Sequence, residues 1–593
     1  MAHVDAPART AEVGRQSDGK ELPDPLVYRV YDAGKPPAPN VEVKSPGGSE
    51  AVLREFDGDN PPTIERPDTL PAPTRHSDGA QWTYLVNLSA DLNGTNTYFG
   101  ALRKLDQMRT ELMPLTADGR SQVIAMIRNS STGCIEMYKI AGGKVEKMGE
   151  APSKGTAEDL QRLVSMAPDD GKVALINQGH GLANEGVSGD GDRDPVPVAD
   201  VANAIKNGLQ TSGRQQLDML SFDSCLMGNA AALGDIAPVA RTVVASEALE
   251  FASSRGDGQE VTRTLSAMMK QPPTDGEALG RELVRQSGAT CDETRPTEPQ
   301  ELGRRPEQCG VETLAVYDGT KIKEFSDALT GFGNALSTAL DNPANRAAIN
   351  DIIKNLPRLP GGDPPDLKDL HQFAEAVLAG IRSGKIKDDG NRTLQNAAVN
   401  VIAAQSRMIP ADYSSLPGFR GVNVLLLGQE PDKGKRYDET SNNVDKAVTR
   451  VTELIEKMGS GQPLTPQQLR TELKKVADSL NPAEKEGLIL RMGPFRLVGP
   501  HDGAMPGMQD LMKAMSDLTR QPMITAQDLS QLRDKLRTTG TTLSEQRTTW
   551  LAQQREDSRK AIERMLKAQL HGQPLESATG WDAFVIKMHL TPA

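Results

Sequence analysis

Val173-Ala-Leu-Ile-Asn-Gln-Gly179-His180-Gly181 and Met219-Leu-Ser-Phe-Asp223-Ser224-Cys225-Leu226-Met227-Gly228 are the segments on which the reading of this chain turns. Each is a short apolar run that stops at a reactive side chain. Such a run, closed by Gly or a polar residue, suits a strand of a parallel sheet covered on both faces. In open α/β sheets, reactive groups sit just past the carboxyl ends of the strands. A His after one strand and a Cys after its neighbour can meet there as base and nucleophile. Neither residue carries that reading alone, because a lone Cys in an apolar segment is usually a small buried hydrophobe. Placement strengthens it. His180 lies between two glycines, which allow close backbone approach. Cys225 is followed by Leu-Met-Gly and a helix-like Asn229–Ile236, and the partial positive charge of a helix N-terminus favours a thiolate.

Length and composition bound the rest. A chain of 593 residues is too long for one domain; roughly two to four are expected. With 37% hydrophobic but only 4% aromatic residues, the core must rest on Leu, Val, Ile, Ala and Met. The net charge of −12 argues against a nucleic-acid binder, which would carry a basic patch. No apolar run has the length of a membrane span. The start, Met1-Ala-His-Val-Asp-Ala-Pro-Ala-Arg, lacks the apolar stretch of a secretory signal peptide. The expected location is therefore the cytoplasm, or export by a specialised secretion system. Cys134 opens an expected strand and reads as structural. Cys291 and Cys309 flank a hydrophilic, Pro-rich loop. They form a disulfide in an oxidising compartment or remain two reduced thiols. Neither suggests a metal site, since there is no CxxC and no nearby His.

Three regions follow from patterning. Residues 1–80 are rich in Pro, Gly, Asp and Ser and read as largely disordered or extended, with short strands expected at Val27–Tyr31 and Val41–Val43. Residues 81–430 alternate strand and helix signals. Strands are expected at Trp82–Ser89, Gln122–Arg128, Ile135–Ile140, Val173–Gln178, Met219–Phe222 and Thr242–Ala245. Helices are expected at Thr95–Met113, Thr156–Met166, Val198–Leu209 and Asn229–Ile236. This alternation predicts an α/β fold with a mostly parallel sheet flanked by helices. Residues 431–593 form an added helical C-terminal region. Gln509–Leu518, Ala526–Thr538 and Leu543–Leu570 read as helices separated by Pro or Thr/Gly breaks. His571-Gly572 after the last of them reads as a helix C-cap. These charged helices could dock a protein partner.

Asn177-Gln-Gly-His180-Gly181 together with Phe222-Asp-Ser-Cys225-Leu-Met-Gly228 resembles the clostripain family of cysteine peptidases, in the clan that includes caspases, legumain and gingipains. Other segments agree in order. Trp82–Asn93 resembles the family's opening strand and acidic turn, and Thr242–Glu247 the strand after the nucleophile. Thr313–Asp318, Asp366–Leu370 and Gly421–Leu427 resemble later family segments. The resemblance covers roughly residues 80–430 and implies a caspase-like fold. It implies an endopeptidase that cleaves polypeptides after Arg or Lys by a Cys/His dyad, with no cofactor required. Cys225 would be the nucleophile, and His180 would protonate the leaving amine. Backbone N–H groups of Gly181 and Cys225 would form the oxyanion hole.

The resemblance also places Asp223 in the primary specificity pocket, where a carboxylate pairs with a basic side chain. The bland alternative is a helix-capping Asp. Glu247 and Asp257 are further candidates for a second pocket acid. The segment Ser246–Gly258 lacks the acidic cluster and Gly-Trp often found there in the family, which leaves the balance between Arg and Lys open.

The loop Ser188-Gly-Asp190-Gly-Asp192-Arg193-Asp194-Pro195 admits three readings. Its Asp190, Asp192 and Asp194 resemble the start of a calcium loop, but Pro195 and Val201 stand where an EF-hand needs Gly and Glu. A looser calcium site remains open. Alternatively, Arg193 marks autoprocessing within the 185–215 linker, as in relatives that cut themselves between His and Cys. The third reading is a plain solvated loop. Two rivals to the peptidase also remain. One is a catalytically silent scaffold acting through its helical C-terminus, and the other is an enzyme using the Cys/His pair for a different acyl transfer.

Overall fold

The structure, a computed structural model, describes residues 68–589 except 74–75, 89–96, 130–131, 189–194, 249–258, 295–312, 358, 360–366, 415–417, 427–432, 460–464, 481–504, 522, 572, 574 and 576–577. The strands expected at 27–31 and 41–43 lie outside these residues, as do Asp190, Asp192, Arg193, Asp194, Asp257 and Cys309. Cys291 falls within a helix, but its suggested partner Cys309 is not described.

The strands are β1 (Trp82–Leu88), β2 (Ser121–Asn129), β3 (Cys134–Ala141), β4 (Lys144–Pro152), β5 (Lys172–Gln178), β6 (His180–Gly181), β7 (Val187–Ser188), β8 (Met219–Asp223), β9 (Thr242–Ser246), β10 (Thr313–Asp318), β11 (Leu367–Asp369), β12 (Ala411–Ser414) and β13 (Asn423–Leu425). Nine of them form one sheet in the order β12-β10-β9-β8-β5-β1-β2-β3-β4. The central strands β9-β8-β5-β1-β2 are parallel, and both flanks are antiparallel. This is the mostly parallel sheet that the alternation predicts.

Helices cover both faces. They are α1 (Thr97–Leu112), α2 (Thr156–Ser165), α3 (Val198–Ser212), α4 (Ala230–Ile236), α5 (Gln259–Lys270), α6 (Gly276–Thr294), α7 (Ile322–Ala339), α8 (Pro343–Asn355), α9 (Leu370–Arg382) and α10 (Thr393–Met408). Strand residues alternate between the two cores, as a period of two requires. In β5, Val173 and Leu175 join one core while Ala174 and Ile176 join the other. Helices α2, α3, α4, α7, α9 and α10 pack on the first face, and α1, α5 and α6 on the second.

Strand β4 is an element that the sequence reading missed. Gly142 and Gly143 have φ of 56° and 71° and join β3 to β4 as a tight hairpin. Two successive glycines at positive φ are a hairpin signal. The β4 sequence Lys-Val-Glu-Lys-Met-Gly-Glu-Ala-Pro alternates charged and apolar residues only loosely and is largely solvent-accessible, because the strand lies at the sheet edge.

The C-terminal helices are α11 (Lys433–Gly459), α12 (Pro466–Leu480), α13 (Met508–Arg520), α14 (Ala526–Gln569) and α15 (Gly580–His589). The break expected at 538–542 does not occur, and α14 runs unbroken through Gly540. Packing overrides local propensity there. Thr539 is buried, and the Tyr437 hydroxyl of α11 donates to the Leu543 carbonyl at 2.6 Å. Helices α11–α14 share a core of their own, centred on Tyr437, Leu473, Leu511, Leu536 and Trp550.

The region 431–593 is nevertheless not one separate body. Its last helix, α15, returns to the first core of the sheet domain. Trp581 and Phe584 pack there against Phe332 and Phe373. Burying each of these rings stabilises the docking by about 2–3 kcal/mol. The Trp581 indole N–H donates to the Leu425 carbonyl of β13 at 3.2 Å. His571, at φ 51°, takes the left-handed position just past α14 and pairs with Asp235 of α4 at 3.2 Å. No helix among the described residues is long and apolar enough to cross a membrane.

Candidate active site

The parallel strands β5 and β8 are neighbours, with Gln178 opposite Asp223. Their carboxyl ends form a polar edge. Asn87 at the end of β1 donates to Asn177 Oδ1 at 2.8 Å, and Gln178 Nε2 donates to Asp223 Oδ2 at 2.5 Å. The Gly179 N–H donates to the Asp223 carbonyl at 3.2 Å, which ties the two strand exits together.

His180 and Gly181 form β6, a short arm paired antiparallel with β7. Cys225 lies on the turn after β8. The two loops are in direct contact at Gly181. A Cβ added there would overlap the Cys225 carbonyl oxygen and come within 2.9 Å of Met227 Cγ. Both His180 and Cys225 are buried, at 5% and 8% exposure. The structure therefore brings together the two loops that carry the His and Cys, 45 residues apart in sequence.

Gly181 has a further property. Antiparallel ladders alternate hydrogen-bonded and non-bonded pairs. The Leu182 N–H bonds the Gly186 carbonyl at 2.9 Å, and Val187 exchanges both its backbone bonds with Val196, at 2.9 and 2.6 Å. Gly181 and Val187 are thus a non-bonded pair, and the Gly181 N–H is turned away from β7.

The candidate pocket acids differ in setting. The Asp223 side chain is partly exposed at the strand end and is held by Gln178. Helix α4 is capped instead by Asn229, whose side chain accepts from the N–H groups of Ala231 and Ala232. The capping alternative for Asp223 is thereby removed. Glu247 is wholly buried behind this edge, beside Asp369. Burial holds the Glu247 carboxyl well above the usual carboxylate range, and the Asp369 charge pushes it further. Asp369 is also raised by burial, but it accepts N–H bonds from Gln372 at 2.7 Å and Arg420 at 2.9 Å, which favour its charged form. Glu247 thus carries the proton of the pair.

A carboxyl raised in the folded chain binds protons more tightly there than in the unfolded chain. Its stabilising contribution is complete below about pH 4 and is lost as the pH rises through the folded value. Glu247→Gln is therefore expected to be more stable than wild type at pH 8, with the gap closing toward pH 5. Urea unfolding at both pH values checks this, and parallel pH dependences would contradict it.

Among the described residues, the group placed to hold a metal is His76, Asp169 and Asp170, all exposed and outside the suggested calcium loop. Asp170 also accepts the Ser77 N–H at 2.7 Å.

A mostly parallel sheet with a buried Cys and a buried His just past neighbouring carboxyl ends is an arrangement in which a nucleophile and a base can meet. Residues 189–437 match the family model described as the clostripain family, peptidase C11. This segment includes Cys225 and begins just after His180, and through it the chain is similar to the clostripain family of cysteine peptidases. A search of curated proteins found no match.

Solved structures similar to this chain include a secreted C11 cysteine protease from Bacteroides thetaiotaomicron bound to an irreversible peptide inhibitor. It is 13% identical, with 60% of this chain and 96% of that chain covered and a TM-score of 0.41. Another is an inactive zymogen C11 protease from Parabacteroides distasonis, at 10% identity, with 61% and 96% covered and a TM-score of 0.40.

Proposed function

We propose that this chain is an endopeptidase that cleaves after Arg or Lys, with Cys225 as nucleophile and His180 as its acid–base partner. The observation that carries the proposal is the contact of the His180–Gly181 arm with the Cys225 turn at the carboxyl edge of the sheet. The Cys225 thiolate attacks the scissile carbonyl carbon, and the oxyanion forms against backbone N–H groups, of which Gly181 offers one. His180 then gives a proton to the departing amine. Water hydrolyses the resulting thioester, with His180 accepting the water's proton.

Asp223 is proposed to receive the basic side chain before the scissile bond. Its setting supports this, since the carboxylate is partly exposed two residues from Cys225 and its orientation is fixed by Gln178. Glu247 lies too deep to meet a substrate directly and is better placed to support the loop after β9. Autoprocessing at Arg193 is part of the same proposal. Val187 and Val196 are bonded across the ends of that segment, so a cut between them would leave both new ends anchored.

Fluorogenic peptides ending in Arg, Lys, Asp or Ala, with and without calcium, test the proposal. Wild type should cleave the Arg or Lys substrates. Asp223→Asn should lose about ten- to a hundredfold of that kcat/KM, the worth of one charged hydrogen bond. It should keep its thiol reactive toward iodoacetamide. Equal cleavage after Ala and Arg by wild type would overturn the assignment of Asp223.

A further inference from the structure

The turn that carries Cys225 contains a strained residue. Leu226 has φ 65°, a left-handed conformation that costs a non-glycine residue about 1–2 kcal/mol. Its side chain is buried at 2% exposure, so it cannot relax outward. Something must hold it.

Both backbone polar groups of Leu226 are held. Its N–H donates to the Ala248 carbonyl at 2.8 Å. Its carbonyl accepts from Asn423 Nδ2 at 3.2 Å. The same Nδ2 donates to the Glu247 carbonyl at 2.7 Å, and Asn423 Oδ1 accepts from Asn229 Nδ2 at 2.7 Å. The Asn423 N–H donates to the Gly228 carbonyl at 2.9 Å. Asn423 is entirely buried, and Asn229 is 2% exposed. One side chain thus ties together the nucleophile turn, the loop after β9 and, through Asn229, the cap of α4. In a site closed to water these bonds have no solvent substitutes, and a lost donor leaves carbonyls unpaired.

We propose that Asn423 is a positioning residue for the nucleophile: its carboxamide clamps Leu226 in the left-handed conformation and so fixes where Cys225 points. This rests on the reading of Cys225 as nucleophile. Asn423 touches no substrate. It acts through the turn, and its loss should lower kcat with little change in KM.

The test compares wild type, Asn423→Asp, Asn423→Ala, Asn229→Asp and the double variant Asn423→Ala/Leu226→Gly. Asn423→Asp keeps the acceptor and removes both donors. Asn229→Asp keeps the helix cap and removes only the bond to Asn423, so it serves if the position-423 variants fail to fold. The readouts are kcat and KM on an Arg peptide, melting temperature, and the pH profile of iodoacetamide alkylation at Cys225, resolved from the other thiols by peptide mapping.

The expected result is a kcat loss of about 10–100-fold in Asn423→Asp and Asn423→Ala, the scale of a misplaced reacting group, with KM within threefold. The Cys225 alkylation profile should shift in parallel. In the double variant, Gly takes the left-handed conformation without a clamp. It should recover kcat while melting lower still, because a buried Leu is lost. Activity rising as stability falls separates positioning from a merely structural role.

Folded position-423 variants with kcat within threefold of wild type would overturn the proposal. So would a double variant whose activity falls along with its stability. If wild type cleaves no peptide, the peptidase reading fails, yet the alkylation profiles still decide whether Asn423 sets the Cys225 turn.

Discussion

Cys225→Ala is expected to abolish peptide hydrolysis, lowering kcat by about 10⁴–10⁶-fold, the scale seen when a covalent nucleophile is removed. His180→Ala should come close to it, because on the proposed mechanism the two groups act as a unit and their losses do not add. The folded state should survive both changes. Cys225 is small and nearly buried, and trimming its sulfur removes about one methylene's worth of packing, about 1 kcal/mol. Melting curves on the same samples separate lost chemistry from lost fold. Mass spectrometry of the purified chains adds a second reading. If Arg193 is a site of self-cleavage, the wild type should be cut there and the Cys225→Ala chain should remain intact. A Cys225→Ala enzyme that still hydrolyses Arg peptides at the wild-type rate would remove the nucleophile assignment.

The strand ends were legible in the sequence because buried parallel strands have a strong signature. Val173–Ile176 is a continuous apolar run and Met219–Phe222 is apolar but for Ser221, and a reactive residue follows shortly after each. What sequence could not supply was spatial. Asn423 stands in Gly421-Val-Asn-Val-Leu-Leu, one amide in an apolar strand, and nothing in that pattern says which carbonyls it will meet. Its partners lie 176 to 197 residues away along the chain. A buried polar residue in such a run is the signal that could have flagged it, since it must find partners.

Glu247 shows the opposite limit. An acid next to the nucleophile region suggested a substrate contact, but its chain position says nothing of depth, and its side chain is fully buried beside Asp369. The C-terminal helices show a related limit. Trp581-Asp-Ala-Phe-Val-Ile lies in a short helix that the sequence analysis does not single out, and only the fold shows that its rings pack against Phe332 and Phe373 of the sheet domain and that its indole bonds β13. Through that bond, the C-terminal helix buttresses the strand that presents Asn423.

Gly181→Ala should be the most damaging change that removes no functional group. Its methyl would overlap the Cys225 carbonyl oxygen, approach the Cys225 carbonyl carbon to 3.0 Å and press on Met227 Cγ at 2.9 Å. The backbone atoms of the Cys225 turn cannot rotate away as a side-chain tip could. The two loops must therefore part, which on the proposed mechanism carries His180 from Cys225 and the Gly181 N–H from the developing oxyanion. Removing one oxyanion donor alone costs about 10²–10³-fold in kcat. Displacing the acid–base partner as well should bring the loss to about 10³-fold or more. Gly234→Ala in α4 is the matched control. The same methyl there meets nothing nearer than Ser326 Oγ at 3.9 Å. On a helix it should stabilise by about 0.5–1 kcal/mol through lower backbone entropy in the unfolded chain, leaving kcat unchanged. The contrast isolates contact from composition, since the two variants make the same substitution with opposite expected signs. Full activity in a folded Gly181→Ala enzyme would mean that the two loops are not held against each other during the reaction, and the geometric basis for pairing His180 with Cys225 would be lost.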